Sequence, residues 1–139
     1  MKTLSLQQKT ELFKKEIGNR TLTHEQQRIY NAFVHRRSKA YTFVVKDKYY
    51  NDIHFTLPTK NTREGVLHIM NKHYKGVGSV SAMEILNLCD IIRFGEISVK
   101  NKHLIYTYKK LSNTYKLIVA LKQTATEKNI LKSFYSNKK

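Results

Sequence analysis

Apolar positions recur every three or four residues in the first third of the chain and every second residue in the last third. The first spacing suits a helix with one buried stripe, the second a strand with one buried face. Leu12, Phe13 and Ile17 form such a stripe behind Ser5-Leu6-Gln7-Gln8. Ser5 and Gln8 stand in capping-box positions, where hydroxyl and amide satisfy orphan backbone amides reciprocally. Gly18-Asn19 stops this helix. Thr23-His24-Glu25-Gln26 is a second capping box and opens another helix, with Ile29, Tyr30, Phe33 and Val34 behind it. Together they predict an N-terminal helical hairpin over residues 1–39, ending near Arg36-Arg37-Ser38-Lys39.

The pattern then changes. Ala40 to Val45 and Ile53 to Leu57 read as short strands around a turn at Asp47 to Asp52, and Pro58 closes the second. Asn61-Thr62-Arg63-Glu64 opens a third helix running to about Tyr74, which Lys75-Gly76-Val77-Gly78 ends. Ser81-Ala82-Met83-Glu84 is another capping box, before a short apolar helix to about Cys89. Ile91-Ile92 reads as a strand start. Ile97 to Val99 and His103 to Tyr108 flank a turn at Lys100-Asn101-Lys102. Tyr115, Leu117, Val119 and Leu121 give the clearest alternation, and Ile130 to Tyr135 is the last strand. The expected fold is α+β: the helical hairpin, then over residues 40–139 two helices packed on a mostly antiparallel, twisted sheet.

Charge narrows the function. The chain of 139 residues carries 26 Lys and Arg against 10 Asp and Glu, a net +16. An imbalance of this size repels itself in the folded state and points to an anionic partner. Ten Lys and one Glu lie between Lys100 and Lys139, so the C-terminal sheet is the expected polyanion face. Arg93, Lys109, Lys110, Lys116 and Lys132 are the expected phosphate contacts, with Tyr108 and Tyr135 as surfaces on which bases stack. Tyr106 and Tyr115 share the Lys-rich neighbourhood, but tyrosine is also an ordinary strand former. The lone Cys89 sits in an apolar run and reads as a buried thiol. No apolar run approaches a membrane span and no signal-peptide core is legible. A cytoplasmic protein is expected, or one delivered into a target cell by a route the sequence does not spell out.

The stretch richest in chemistry is His68-Ile69-Met70-Asn71-Lys72-His73. At 100° per residue, Val66, Leu67, Met70 and Tyr74 form its buried stripe, and Glu64, His68, Lys72 and Lys75 the opposite side. On that geometry His73 lies about 140° from His68 and the two rings point apart. Their spacing is poor for a shared metal, and neither a metal nor a cofactor is expected. The chain shows no Ser-His-Asp spacing, no phosphate-binding glycine loop and no paired catalytic carboxylates. His, Lys, Arg, Ser and Tyr remain. They suit metal-free RNA cleavage, in which the substrate's own 2′-hydroxyl attacks and the enzyme supplies a base, an acid and positive charge.

His68-Ile69-x-x-Lys72-His73 resembles the helix motif of phage-associated nuclease domains in the barnase–EndoU–colicin–RelE superfamily. The order of the later elements is also similar: a short apolar helix, the segment Ile91-Ile92-Arg93-Phe94-Gly95-Glu96, then three strands ending in Ile130-Leu131-Lys132-Ser133-Phe134-Tyr135. The resemblance covers about residues 40–139 and leaves the hairpin outside; Ser133 stands where Thr is common. It implies a nuclease domain in which His68 or His73 is general base or acid, Lys72 a phosphate clamp and Ser133 a positioning group, with His68 slightly favoured as base. Strand alternation allows either Ser133 or Lys132 to face substrate, not both. The implied activity is a metal-independent endoribonuclease of toxin or effector kind, acting on tRNA or another structured RNA and leaving a 2′,3′-cyclic phosphate. An acidic antitoxin or immunity protein is the matching protein partner. The alternatives are a non-catalytic nucleic-acid-binding module, with structural histidines, and a basic adaptor for an acidic protein. Deleting residues up to Ser38 is expected to leave any nuclease activity measurable, provided the remainder folds.

Overall fold

The computed structural model describes residues 4–37, 41–58, 64–110, 115–123 and 129–137. Outside them lie the expected helix start at Asn61-Thr62-Arg63, the hairpin end at Ser38-Lys39 and the strand start at Ala40.

Helix α1 spans Leu6–Ile17 and α2 spans His24–Tyr30, running on into a π-helical turn at Asn31–His35. Strands β1 (Thr42–Lys46) and β2 (Asp52–Thr56) follow, then α3 (Gly65–His68), which continues as a second π-helical turn over Ile69–His73. Next come α4 (Ala82–Leu86), α5 (Leu88–Phe94) and β3 (Glu96–Lys100), β4 (His103–Lys110), β5 (Tyr115–Gln123) and β6 (Asn129–Ser136). All three capping boxes form. Ser5, Thr23 and Ser81 each accept from the amide three residues on, and Gln8, Gln26 and Glu84 each accept from the cap amide. The hairpin between β3 and β4 turns on Asn101 and Lys102, both at positive φ, as a two-residue connection matched to strand twist requires.

The class is α+β, with one mostly antiparallel sheet of six strands in the order β1-β2-β6-β5-β4-β3. Among the described strands only β2 and β6 run parallel, and they pair over two positions, Phe55–Asn129 and Thr56–Ile130. Beyond that point α3 and its π turn lie against β6. The alternation of β5 holds: Leu117, Val119 and Leu121 are buried under the helices, while Ile118 and Ala120 are half-buried on the other face.

The expected strand start at Ile91-Ile92 is corrected: both residues belong to α5. Leu88, Cys89, Ile91 and Ile92 are all buried, and a short apolar run reads the same as strand or as buried helix. Cys89 is buried as expected, and burial pushes its thiol up.

Phe13, Ile17, Ile29 and Phe33 of the N-terminal helices belong to the same core as Phe55, Ile69, Met70 and Phe134. The contact is also polar. One Glu16 carboxylate oxygen accepts from Tyr74 Oη at 2.9 Å and the other from the Ala82 amide at 2.8 Å, so α1 grips both ends of the segment between the π turn and α4. Lys9, 4 % exposed, donates from Nζ to the Asn71 carbonyl at 2.7 Å.

Candidate functional site

The π turn after α3 decides the geometry. Tyr74 donates its amide to the Ile69 carbonyl, five residues back, at 2.8 Å. That winding brings residues five apart one above the other, where an α-helix would offset them. The expectation that His68 and His73 point apart is therefore corrected. Their ring centroids are 5.1 Å apart, edge to face. The same winding buries Ile69 fully and leaves Leu67, expected in the buried stripe, only half-buried. Lys9 supplies the Asn71 carbonyl, inside the π turn, with a donor from α1.

His73 is wedged in place. Its ring stacks on Tyr135 at 5.5 Å, and Nδ1 lies 2.7 Å from the Val77 carbonyl oxygen. A carbonyl can only accept, so the proton sits on Nδ1 and Nε2 is the free nitrogen of the neutral ring. Gly78, at φ +59°, passes close behind it: a Cβ there would stand 3.3 Å from His73 Nδ1 and 3.0 Å from the Ser136 carbonyl oxygen. The Gly78 carbonyl accepts from the Ser136 amide at 3.0 Å, which pins this loop to the end of β6. From sequence the loop reads only as a helix stop.

His68, Lys72, His73 and Ser133 line one open cleft of about 480 Å³, with Val77, Gly78, Tyr135, Ser136 and Asn137. The four residues singled out for chemistry thus meet, three from the helix and one from the last strand. Strand alternation was expected to force a choice between Ser133 and Lys132. Here too the structure differs. Ala120 pairs with Ser133 and Leu121 with Leu131, so Lys132 is passed over in the register and occupies a bulge. The extra residue lets Leu131 and Phe134 both face the core, while Lys132 and Ser133 line one cavity next to the cleft.

The remaining expected contacts are spread out. Arg93 pairs with Glu25 and Asp90 on the helical side and does not line the cleft. Tyr108 opposes Leu117 in register and faces a separate groove with Met83 and Phe94. Tyr106 is buried, and Tyr115 donates to Glu84 at 2.7 Å. Lys109 and Lys116 are exposed and oppose each other in register, on the face away from the helices. Lys110 closes β4 opposite Tyr115.

Both histidines are pushed below the ordinary histidine value of 6.5. For His68 burial is the main cause, Lys72 and Lys132 add to it, and Glu64 opposes it. For His73 burial again leads; the Val77 hydrogen bond opposes it, and His68, Lys72 and Lys9 add to it. Both rings are expected to titrate below 6.5 when their proton resonances are followed against pH. Ordinary or raised midpoints at both would contradict the geometry. In the unfolded chain the same rings take up protons near 6.5, so their contribution to stability is present above that value. It falls as the pH drops through 6.5 toward the folded values.

Among the described residues no three His, Cys, Asp or Glu side chains are grouped as metal ligands, and no helix is long and apolar enough to cross a membrane. Compared with known proteins, the chain matches no family model, no curated protein and no solved structure.

Proposed function

We propose that this chain is a metal-independent endoribonuclease of toxin or effector type, acting on tRNA or another structured RNA, with a domain of the barnase–EndoU–colicin–RelE kind from about residue 40 onward. The observation that carries the reading is the convergence of His68, His73, Lys72 and Ser133 on one cleft. Nothing in the sequence spacing alone required it.

The roles follow from access and charge. His68 is half-buried and borders the cleft, whereas His73 is 6 % exposed between two rings. Of the two rings His68 is the more exposed to an incoming 2′-hydroxyl, so His68 is the base and His73 its positioning neighbour. His68 takes the 2′-hydroxyl proton, the 2′-oxygen attacks the adjacent phosphorus, and the bond to the 5′-oxygen breaks. That oxygen leaves with a proton from the Lys72 ammonium or from water. The products are a 2′,3′-cyclic phosphate and a 5′-hydroxyl. Lys72 also offsets the charge that builds on the phosphorane. Exposed Lys109, Lys116 and Lys122 extend the positive surface along the sheet face away from the helices, where a strand is held by its phosphates. A toxin of this charge is matched by an acidic antitoxin or immunity protein.

Purified protein incubated with total tRNA in EDTA is expected to give discrete fragments ending in a 2′,3′-cyclic phosphate. RNA carrying a 2′-deoxy or 2′-O-methyl group at the cut site is expected to survive. Cleavage of that blocked site, or complete loss of activity in EDTA, would sink the mechanism.

A further inference from the structure

The cleft does not end at Ser133 and Tyr135. These two residues are shared with a neighbouring cavity of about 290 Å³, also lined by Lys100, His103, Ile105 and Lys132. Among the described residues no carboxylate lines it. Its polar groups are tied together. The Lys132 ammonium, which can only donate, lies 3.1 Å from His103 Nε2, so that nitrogen accepts. The ring proton then sits on Nδ1, 3.3 Å from the Lys100 carbonyl oxygen. His103 is held at both nitrogens, and it fixes Lys132, the bulge residue, at the cavity wall. In the shared wall Ser133 Oγ is buried, 9 % of the residue being exposed, with no hydrogen-bond partner among the described residues. A buried hydroxyl left without a partner calls for an explanation, and an incoming ligand oxygen is one.

Resting on the ribonuclease reading, we propose that this cavity is a subsite for the phosphodiester next to the scissile one. Lys132 is its charged contact, His103 the residue that positions Lys132, and Ser133 the hydroxyl that the RNA chain satisfies as it crosses the shared wall. An RNA strand presents one phosphate per nucleotide, and two basic cavities with a common wall suit two successive phosphates. The bulge in β6 is what makes this possible, since without it Lys132 and Ser133 would face opposite sides of the sheet.

The test compares dinucleotides that contain only the scissile phosphate with the same dinucleotides bearing a second phosphate at the 5′ or the 3′ end. The readout is the ratio of kcat/KM values within each protein, so the absolute rate of a variant does not matter. For the native chain the second phosphate at one end is expected to raise kcat/KM roughly tenfold or more, the size of one charge-assisted hydrogen bond. In Lys132→Ala that gain is expected to vanish, and in Lys132→Arg to return in part. Lys132→Gln replaces the alanine variant if the latter does not fold. RNA cleavage with no gain at either end, or a gain that persists without the Lys132 charge, overturns the subsite while leaving the ribonuclease reading intact. If the native chain cleaves no RNA, the ribonuclease reading fails. Titration with 2′-deoxy dinucleotides, with and without the second phosphate, then decides the subsite. A shift of the His103 ring resonances that needs both the second phosphate and Lys132 supports it, and the absence of that shift overturns it.

Discussion

Replacing His68 with alanine is expected to lower kcat/KM for RNA by about 10²–10⁴-fold, the usual worth of a positioned general base. The variant is also expected to lose the acid limb of its pH profile, because in the proposed mechanism protonation of His68 stops the reaction. His73→Ala should act differently. It removes the ring that backs His68 and stacks on Tyr135, so the rate falls but the acid limb remains, moved toward the ordinary histidine value as the neighbour that helps bury the His68 ring disappears. The two profiles, measured on one substrate, therefore separate base from positioning residue. An acid limb kept in His68→Ala and lost in His73→Ala would exchange the roles. A rate unchanged in both would remove the histidines from the chemistry altogether.

Phe13→Ala is expected to destabilise the whole protein by about 3–5 kcal/mol, the range for truncating a buried aromatic side chain. Phe13 is fully buried, and its ring meets those of Tyr30, Phe33 and Tyr74. Tyr74 directly follows the π turn, so α1 packs against the foundation of the histidine cleft. Since small domains are stable by only about 5–15 kcal/mol, the loss is a large share of the total. It is read from the denaturant midpoint, and from whether one cooperative transition reports on both the N-terminal helices and the sheet. A loss below about 1 kcal/mol, far under the range for a buried ring, or a separate early transition for the helices, would show that the N-terminal segment is an independent unit.

The features legible in the sequence are those that depend on neighbours a few residues away. The capping boxes at Ser5, Thr23 and Ser81 form as read, because a hydroxyl and an amide three residues apart meet in any helix start. The alternation of Leu117, Val119 and Leu121 marks the buried face of β5 correctly. Three features were not legible. Leu88 to Phe94 carries an apolar run too short to tell helix from strand, and burial among α4 and the sheet decides it. The bulge at Lys132 is set by register against β5, which lies in another segment of the chain. The π turn has no local signature in Ile69 to His73, and its support comes from Lys9 and Glu16 on α1. His68, Lys72, His73 and Ser133 stand out by their chemistry, but their meeting depends on two of these three features. His103 escapes notice in the sequence because nothing near it predicts that Lys132 lies across the strands from it.

The winding at Ile69 to His73 also bears on how relatives of this chain would look. A π turn holds five residues where an α turn holds four. Residues four apart on an α-helix share a face, just as residues five apart do here. A chain one residue shorter between the two histidines, with an ordinary α turn, would keep the pair in contact. The two spacings are alternative ways of writing one site, exchanged by a single-codon insertion or deletion. A search pattern that fixes the gap at the length seen here would discard sequences equally able to build it. The residues to hold constant in such a search are those that report on the partner surfaces: a buried aromatic after the second histidine, and a small residue where Gly78 passes behind its ring.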